Sequence, residues 1–310
     1  MTDDFQKELL IAARYGEKDR PENIIWNKQI EGLLCHRSVR SFSPQPLPEY
    51  WFETLVAAAQ SASTSSNLQQ WSVVAVTDPE LKAQVRKLSA GDSGLANGYI
   101  EEAPAILLWV ADLSRNHDMT VADGLNPGVH EYLDSFVMAT VDASLASQNA
   151  TVAAESIGLG TVYIGATRNK AKELAELIQL PPHSYVVCGL VVGWPDPKSN
   201  ASIRPRLPQS VVAHHNRYNA SDFDAHVKSY EEAFHAFREG LGMKDKPGNR
   251  PYKAQQQAWT IWTDARTFAL RLKIADSVLN KSVAAVCAAA KKASLTAIKS
   301  DISITSAFRS

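Results

Sequence analysis

SASTSSNLQQWSVVAVTD, residues 61–78, runs from a cluster of hydroxyls and amides straight into an apolar, β-branched segment. Ahead of it, Tyr50, Trp51, Leu55, Val56 and Ala59 carry a helical signal. The Ser/Thr run ends that signal, because such side chains compete for backbone partners inside a helix. WSVVAVTD (71–78) then reads as a strand, and PELKAQVRKL (79–88) as a helix with its proline in the first turn. AILLWVAD (105–112) and SYVVCGLVVGWP (184–195) are near-continuous apolar runs, the pattern of strands covered on both faces. The longest helical periodicity spans about 131–157 and is rich in Ala and Ser, so it fits a central helix or one packed on a second subunit. GLGTVYIG (158–165) is a helix stop and short strand, and NKAKELAELIQLP (169–181) a helix ended by prolines. Helices over 2–14, 22–34 and 221–240 complete the pattern. Helices alternating with apolar strands predict an α/β or α+β domain.

Composition sets the outer limits. The 310 residues are 45% hydrophobic and 21% charged, with a net charge of −1. That balance allows a sizeable core and lacks the basic footprint of a nucleic-acid binder. No apolar run is long enough to cross a bilayer. MTDDFQKELL has no signal-peptide plan, which makes the cytoplasm the expected compartment. Cys35, Cys188 and Cys287 are widely spaced and read as buried or free thiols. His117, His130, His183, His214 and His215 have no metal spacing with nearby acids. GLG at 158–160 follows a helix and precedes a strand, the reverse of a dinucleotide-binding turn, and no GxSxG occurs.

The chemistry concentrates in a few short segments. CHRSVRSF (35–42) sets His36, Arg37 and Arg40 around Ser38. Guanidinium forks beside clustered hydroxyl and amide groups suit a ligand with a phosphate, a polyol and a polar ring edge. Arg204 and Arg206 flank Pro205, which stiffens the backbone between them. VYIGATRN (162–169) offers a turn where Gly165 permits close backbone approach to a planar group. Taken singly, each has an ordinary reading: a solvated arginine pair, a helix cap, a structural turn. Their coexistence favours a common anion site.

HRSVRSF (36–42), SSNLQQWSVVAVTD (65–78), AESIGLGTVYIGATRN (154–169) and GLVVGWP followed by RPRLP (189–208) stand in the order found in the flavin-dependent nitroreductase superfamily. The chain most resembles its NADPH-preferring oxygen-insensitive nitroreductases and NADPH–flavin oxidoreductases, over about residues 28–218. The resemblance implies an α+β fold, a central mixed β-sheet flanked by helices, and a homodimer built on a long central helix. It implies FMN as cofactor, at sites between subunits. His36, Arg37 and Ser38 then lie on the phosphate side, with Arg40 nearer the ring and ribityl chain. Thr64, Ser65, Ser66 and Gln69 correspond to the hydroxyl segment, Asn97 to an amide beside the ring, and Tyr163, Ile164, Gly165 and Ala166 to the turn facing it. Arg204 and Arg206 correspond to a phosphate-holding pair. Ala166 replaces a common glycine.

The implied activity is ping-pong: NADPH reduces FMN by hydride transfer to N5, and a nitroaromatic, quinone or related flat acceptor reoxidises it. The cofactor carries the chemistry, Gly165 offers a backbone amide near N5, and no catalytic side chain is required. Arg250 and Lys253 are candidates for the NADPH 2′-phosphate. Residues 1–27 are a helical extension, 28–255 the FMN-binding domain, and 256–310 a C-terminal helix and tail that depart from the family pattern. The alternatives are a flavin reductase supplying reduced FMN to a monooxygenase, and a flavin-binding protein without turnover.

Overall fold

A computed structural model describes residues 3–90, 96–219 and 221–242. Its centre is a four-stranded sheet in the order β1-β2-β4-β3, with β1 Trp71–Val76, β2 Ala105–Asp112, β3 Gly160–Ile164 and β4 Ser184–Gly193. Every ladder is antiparallel. Among the described residues the sheet is thus antiparallel where a mixed one was expected, and the parallel pairing is an isolated bridge between Ser38 and Thr161. The helices are α1 Asp3–Tyr15, α2 Lys28–Cys35, α3 Trp51–Gln60, α4 Pro79–Ser89, α5 Tyr99–Glu102, α6 Ser114–Ala122, α7 Leu133–Ser156, α8 Ala171–Leu177, α9 Gln209–Val212 and α10 Phe223–Gly240.

All eight residues of β2 are buried. Its alternate side chains feed two cores. Leu107 and Trp109 pack with Leu55 of α3 and with Ala146, Ala150 and Ala154 of α7. Ile106, Leu108 and Val110 pack with Val85 of α4, Ile100 of α5 and Leu174 of α8. Helices on both faces explain why β2 reads as an unbroken apolar run, although its ladders are antiparallel. Burial of each such side chain stabilises the fold by roughly 1.5–3 kcal/mol.

α7 turns small residues inward. Ala139, Ala143, Ala146, Ala150 and Ala154 are fully buried, which lets the helix lie close to the sheet. Its larger apolar residues face outward: Leu133, Val137, Val141, Leu145 and Val152 are 39–47% exposed. This stripe, spaced mostly four residues apart, lies along one helix face. Among the described residues no helix is long and apolar enough to cross a membrane.

The helix predicted over 22–34 is shorter. α2 starts at Lys28, where the Asn27 side chain accepts a hydrogen bond from the Ile30 amide and caps the first turn.

Candidate functional site

The basic loop is shaped by the edge of β3. α2 ends at Cys35, and the chain continues extended beside β3. The Val39 amide donates to the Thr161 carbonyl at 2.9 Å, and Val39 is 2% exposed. Close approach requires Gly160, where a Cβ would stand 2.7 Å from Val39 Cγ2. The Phe42–Pro195 bridge fixes the far end. With Val39 anchored inward, Arg37, Ser38 and Arg40 face a cavity of about 320 Å³. Arg204 and Arg206 line the same cavity. The sequence-predicted arginines thus meet.

The cavity lining includes five arginines and His36, and no carboxylate. Burial, then Arg40, presses the Arg204 pKa below its ordinary value. The Arg204 guanidinium also lies over the rings of Phe234 and Phe237, 5.8 and 5.9 Å from their centroids. Like charges in a confined space favour an anion that offers several acceptor oxygens. A phosphate dianion has that chemistry, so this donor set fits the phosphate end of FMN.

Positioning groups lie just behind. His36 Nδ1 is 2.7 Å from Glu155 Oε1, which also accepts from the Thr161 hydroxyl at 3.0 Å. The Tyr99 phenol accepts a hydrogen bond from Arg40 and donates to Asn97 Oδ1 at 2.8 Å. The Asn97 amide nitrogen donates to the Ser89 carbonyl. Asn97 therefore reaches the basic loop through Tyr99 and does not itself line the cavity.

The hydroxyl segment lies elsewhere in the chain. Asp142, fully buried on α7, accepts from the Ser65 amide at 2.8 Å and the Gln70 amide at 3.3 Å. Between these anchors Ser66, Asn67 and Gln69 adopt positive φ, at 49°, 56° and 51°. Thr64, Ser65, Ser66 and Gln69 do not line the arginine cavity of their own chain. At the third segment the Tyr163 phenol is bonded to Ser147 and Thr151, and Ile164 is 2% exposed. Gly165 is exposed and opens the turn to Arg168. A Cβ on Gly165 would stand 3.2 Å from the Arg168 guanidinium, which donates to the Val187 carbonyl at 2.7 Å. A planar ligand here would meet the backbone of 164–166. Arg250, Lys253 and Cys287 lie outside the described residues.

These segments are those of a known family. Residues 34–194 match the family described as "Nitroreductase family", and residues 204–264 match "Nitroreductase family, C-terminal domain". The chain belongs to the nitroreductase family. It is 38% identical over 211 residues to the FMN reductase (NADPH) of Bacillus subtilis, covering 66% of this chain and 81% of that protein. It is 35% identical over 212 residues to the NADPH-flavin oxidoreductase of Vibrio harveyi, covering 68% and 82%. Its fold superposes on that of B. megaterium NfrA2 with a TM-score of 0.72 at 30% identity, over 82% of this chain and 99% of the other.

Sequence reasoning missed four residues that shape this candidate site. Glu155, Thr161 and Asp142 sit inside elements whose helical or strand periodicity concealed them. Arg14, in the last turn of α1, is the fourth. Arg14 is 6% exposed, and its guanidinium donates to the carbonyls of Arg204 at 2.9 Å, Leu34 at 2.8 Å and His36 at 3.0 Å. No metal-binding cluster of His, Cys, Asp or Glu occurs among the described residues.

Proposed function

We propose that this chain is an FMN-dependent oxidoreductase that takes electrons from NADPH and delivers them to nitroaromatics, quinones or related flat acceptors in a ping-pong cycle. The observation that carries this reading is the convergence of Arg37, Arg40, Arg204 and Arg206 on one carboxylate-free cavity in a nitroreductase-family chain. When bound, FMN supplies reversible two-electron chemistry. The protein's own work is then to hold and orient. Arg204, Arg206, Arg37, His36 and Ser38 grip the phosphate, and Arg40, braced by Tyr99, reaches toward the ribityl chain. The 163–166 backbone supports the ring, with the Gly165 amide as an electrostatic donor.

In this reading two copies pair through the outward apolar stripe of α7. The Thr64–Gln69 turn of each copy then completes the cavity of the other. Residues 28–255 form the flavin-binding unit, Arg250 and Lys253 meet the NADPH 2′-phosphate, and the enzyme works in the cytoplasm.

A second reading is favoured by the two relatives described as an FMN reductase and a flavin oxidoreductase. In it, reduced FMN is the released product. One experiment tests both. Purified protein showing flavin absorption that bleaches with NADPH and returns with a quinone supports the proposal. Loss of flavin to the filtrate during turnover selects the second reading. Flavin that neither NADPH nor NADH bleaches leaves a binding protein without turnover, and protein that takes up no added FMN refutes both.

A further inference from the structure

α1 precedes the stretch that matches the family, which begins at residue 34. It is nevertheless fastened into the molecule at several independent points. Gly16, at φ +77°, ends the helix against α10, where a Cβ would stand 2.7 Å from Ala233 Cβ. Lys18 pairs with Glu232 at 2.6 Å, and His226 Nδ1 lies 3.5 Å from Asp19. The Arg206 amide donates to the Arg14 carbonyl at 2.7 Å.

This fastening delivers Arg14 to the back of the arginine cavity, whose wall it helps form. One guanidinium there bonds the carbonyl of His36 on one arm and that of Arg204 on the other. Its hydrogen-bond partners are neutral carbonyls, which occupy the donors without pairing the positive charge. Burial, then Arg206, lowers the Arg14 pKa, although a guanidinium stays charged. Glu155 lends the guanidinium a smaller, opposing stabilisation without bonding it. A buried cation not paired directly with a carboxylate is costly, and an anion in the adjoining cavity relieves that cost.

We propose that Arg14 is a positioning residue for the phosphate of FMN: it clasps the 36–40 loop to the 204–206 segment and adds its charge to the cavity between them. This rests on the FMN reading above. Helix α1 is thereby a working part of the cofactor site rather than an appendage.

The test measures binding to flavin-stripped full-length protein by fluorescence quenching, with FMN and with riboflavin, which lacks the phosphate. The variants are Arg14→Met, which keeps length and loses charge, and Arg14→Lys, which keeps charge but cannot span both arms. Expected is a loss of FMN affinity of tenfold or more in R14M and a smaller loss in R14K, with riboflavin affinity unchanged in both. Inorganic phosphate should compete with FMN less effectively in R14M than in wild type. Equal losses for FMN and riboflavin would mark Arg14 as merely structural and overturn the proposal. So would unchanged FMN affinity. If R14M does not fold, R14K decides by the same comparison. A wild-type protein that fails to prefer FMN over riboflavin would instead defeat the underlying FMN reading.

Discussion

Glu155 Oε1 stands 2.7 Å from His36 Nδ1 and accepts the hydroxyl hydrogen bond of the fully buried Thr161. One carboxylate oxygen on α7 therefore ties the start of the basic loop to β3. Glu155→Ala removes the acceptor and leaves the Thr161 hydroxyl without one. An orphaned buried donor costs about 1–3 kcal/mol. The expected outcome is a lower urea midpoint with an unchanged m-value, together with weaker flavin retention. Glu155→Gln, which keeps an acceptor, should recover most of the stability.

Asp142 is the internal anchor of the hydroxyl turn, through the Ser65 and Gln70 amides. Asp142→Ala should destabilise the fold by about 2–4 kcal/mol, since hydrogen bonds to a charged acceptor are the stronger kind. Amide hydrogen exchange would show faster exchange across residues 64–70 than elsewhere. Uniform protection across the molecule would contradict this role.

Gly160→Ala places a methyl group against Val39 and Pro195, both within 3.0 Å of the added carbon. The basic loop must move away from β3. Overpacking of this kind costs about 1–3 kcal/mol. Flavin affinity should fall with stability, and a thermal melt beside a flavin titration checks both. Gly32→Ala, inside α2 with nothing within 4 Å of the new carbon, is the control: flavin affinity should be unchanged and stability should rise by up to about 1 kcal/mol.

Three imidazoles stack beside α6: the rings of His117 and His183 are 3.9 Å apart, and those of His117 and His130 are 6.1 Å apart. Burial first, then the neighbouring rings, lowers the His130 pKa below 6.5, and His183 shifts the same way. Asp118, 3.1 Å from His117 Nδ1, opposes this at His183. A histidine with a depressed folded pKa binds fewer protons folded than unfolded. Stability is therefore full above the unfolded value near 6.5 and is lost as pH falls toward the folded pKa. The melting temperature should drop between pH 7 and 5, and His130→Phe should drop less. An identical pH profile for the variant would sink this assignment.

How much of this was legible in the sequence differs by element. β2 and β4 were readable because both faces of the sheet are covered, so their apolar runs are continuous. α7 was readable from its length. α6, with the polar sequence SRNHDMTVA, gave no apolar periodicity and was missed. The arginine pairs were visible as residues, yet their meeting depends on β3 lying beside the loop, a pairing of distant segments that periodicity does not encode. Arg14 carried no signal: an arginine near the end of an amphipathic helix reads as a solvated cation, and its burial comes from the end of α2, the basic loop and the Arg204 segment closing around it. Asn97 shows the converse, an amide whose groups are spent on Ser89 and Tyr99.

The central place of β2 also governs the order in which the chain assembles. β2 ends at Asp112, while β4, its partner on the open side, begins at Ser184. During synthesis β1 is already available, but the other edge of β2 stays unpaired until β4 has been made. At 5–20 residues per second this delay is on the order of 4–15 s. Throughout it, a strand edge that is apolar from Ala105 to Ala111 is exposed to any other nascent chain. Yield of native protein should therefore be limited by this interval, and slower initiation or added chaperone should raise it more than any change that stabilises the finished fold.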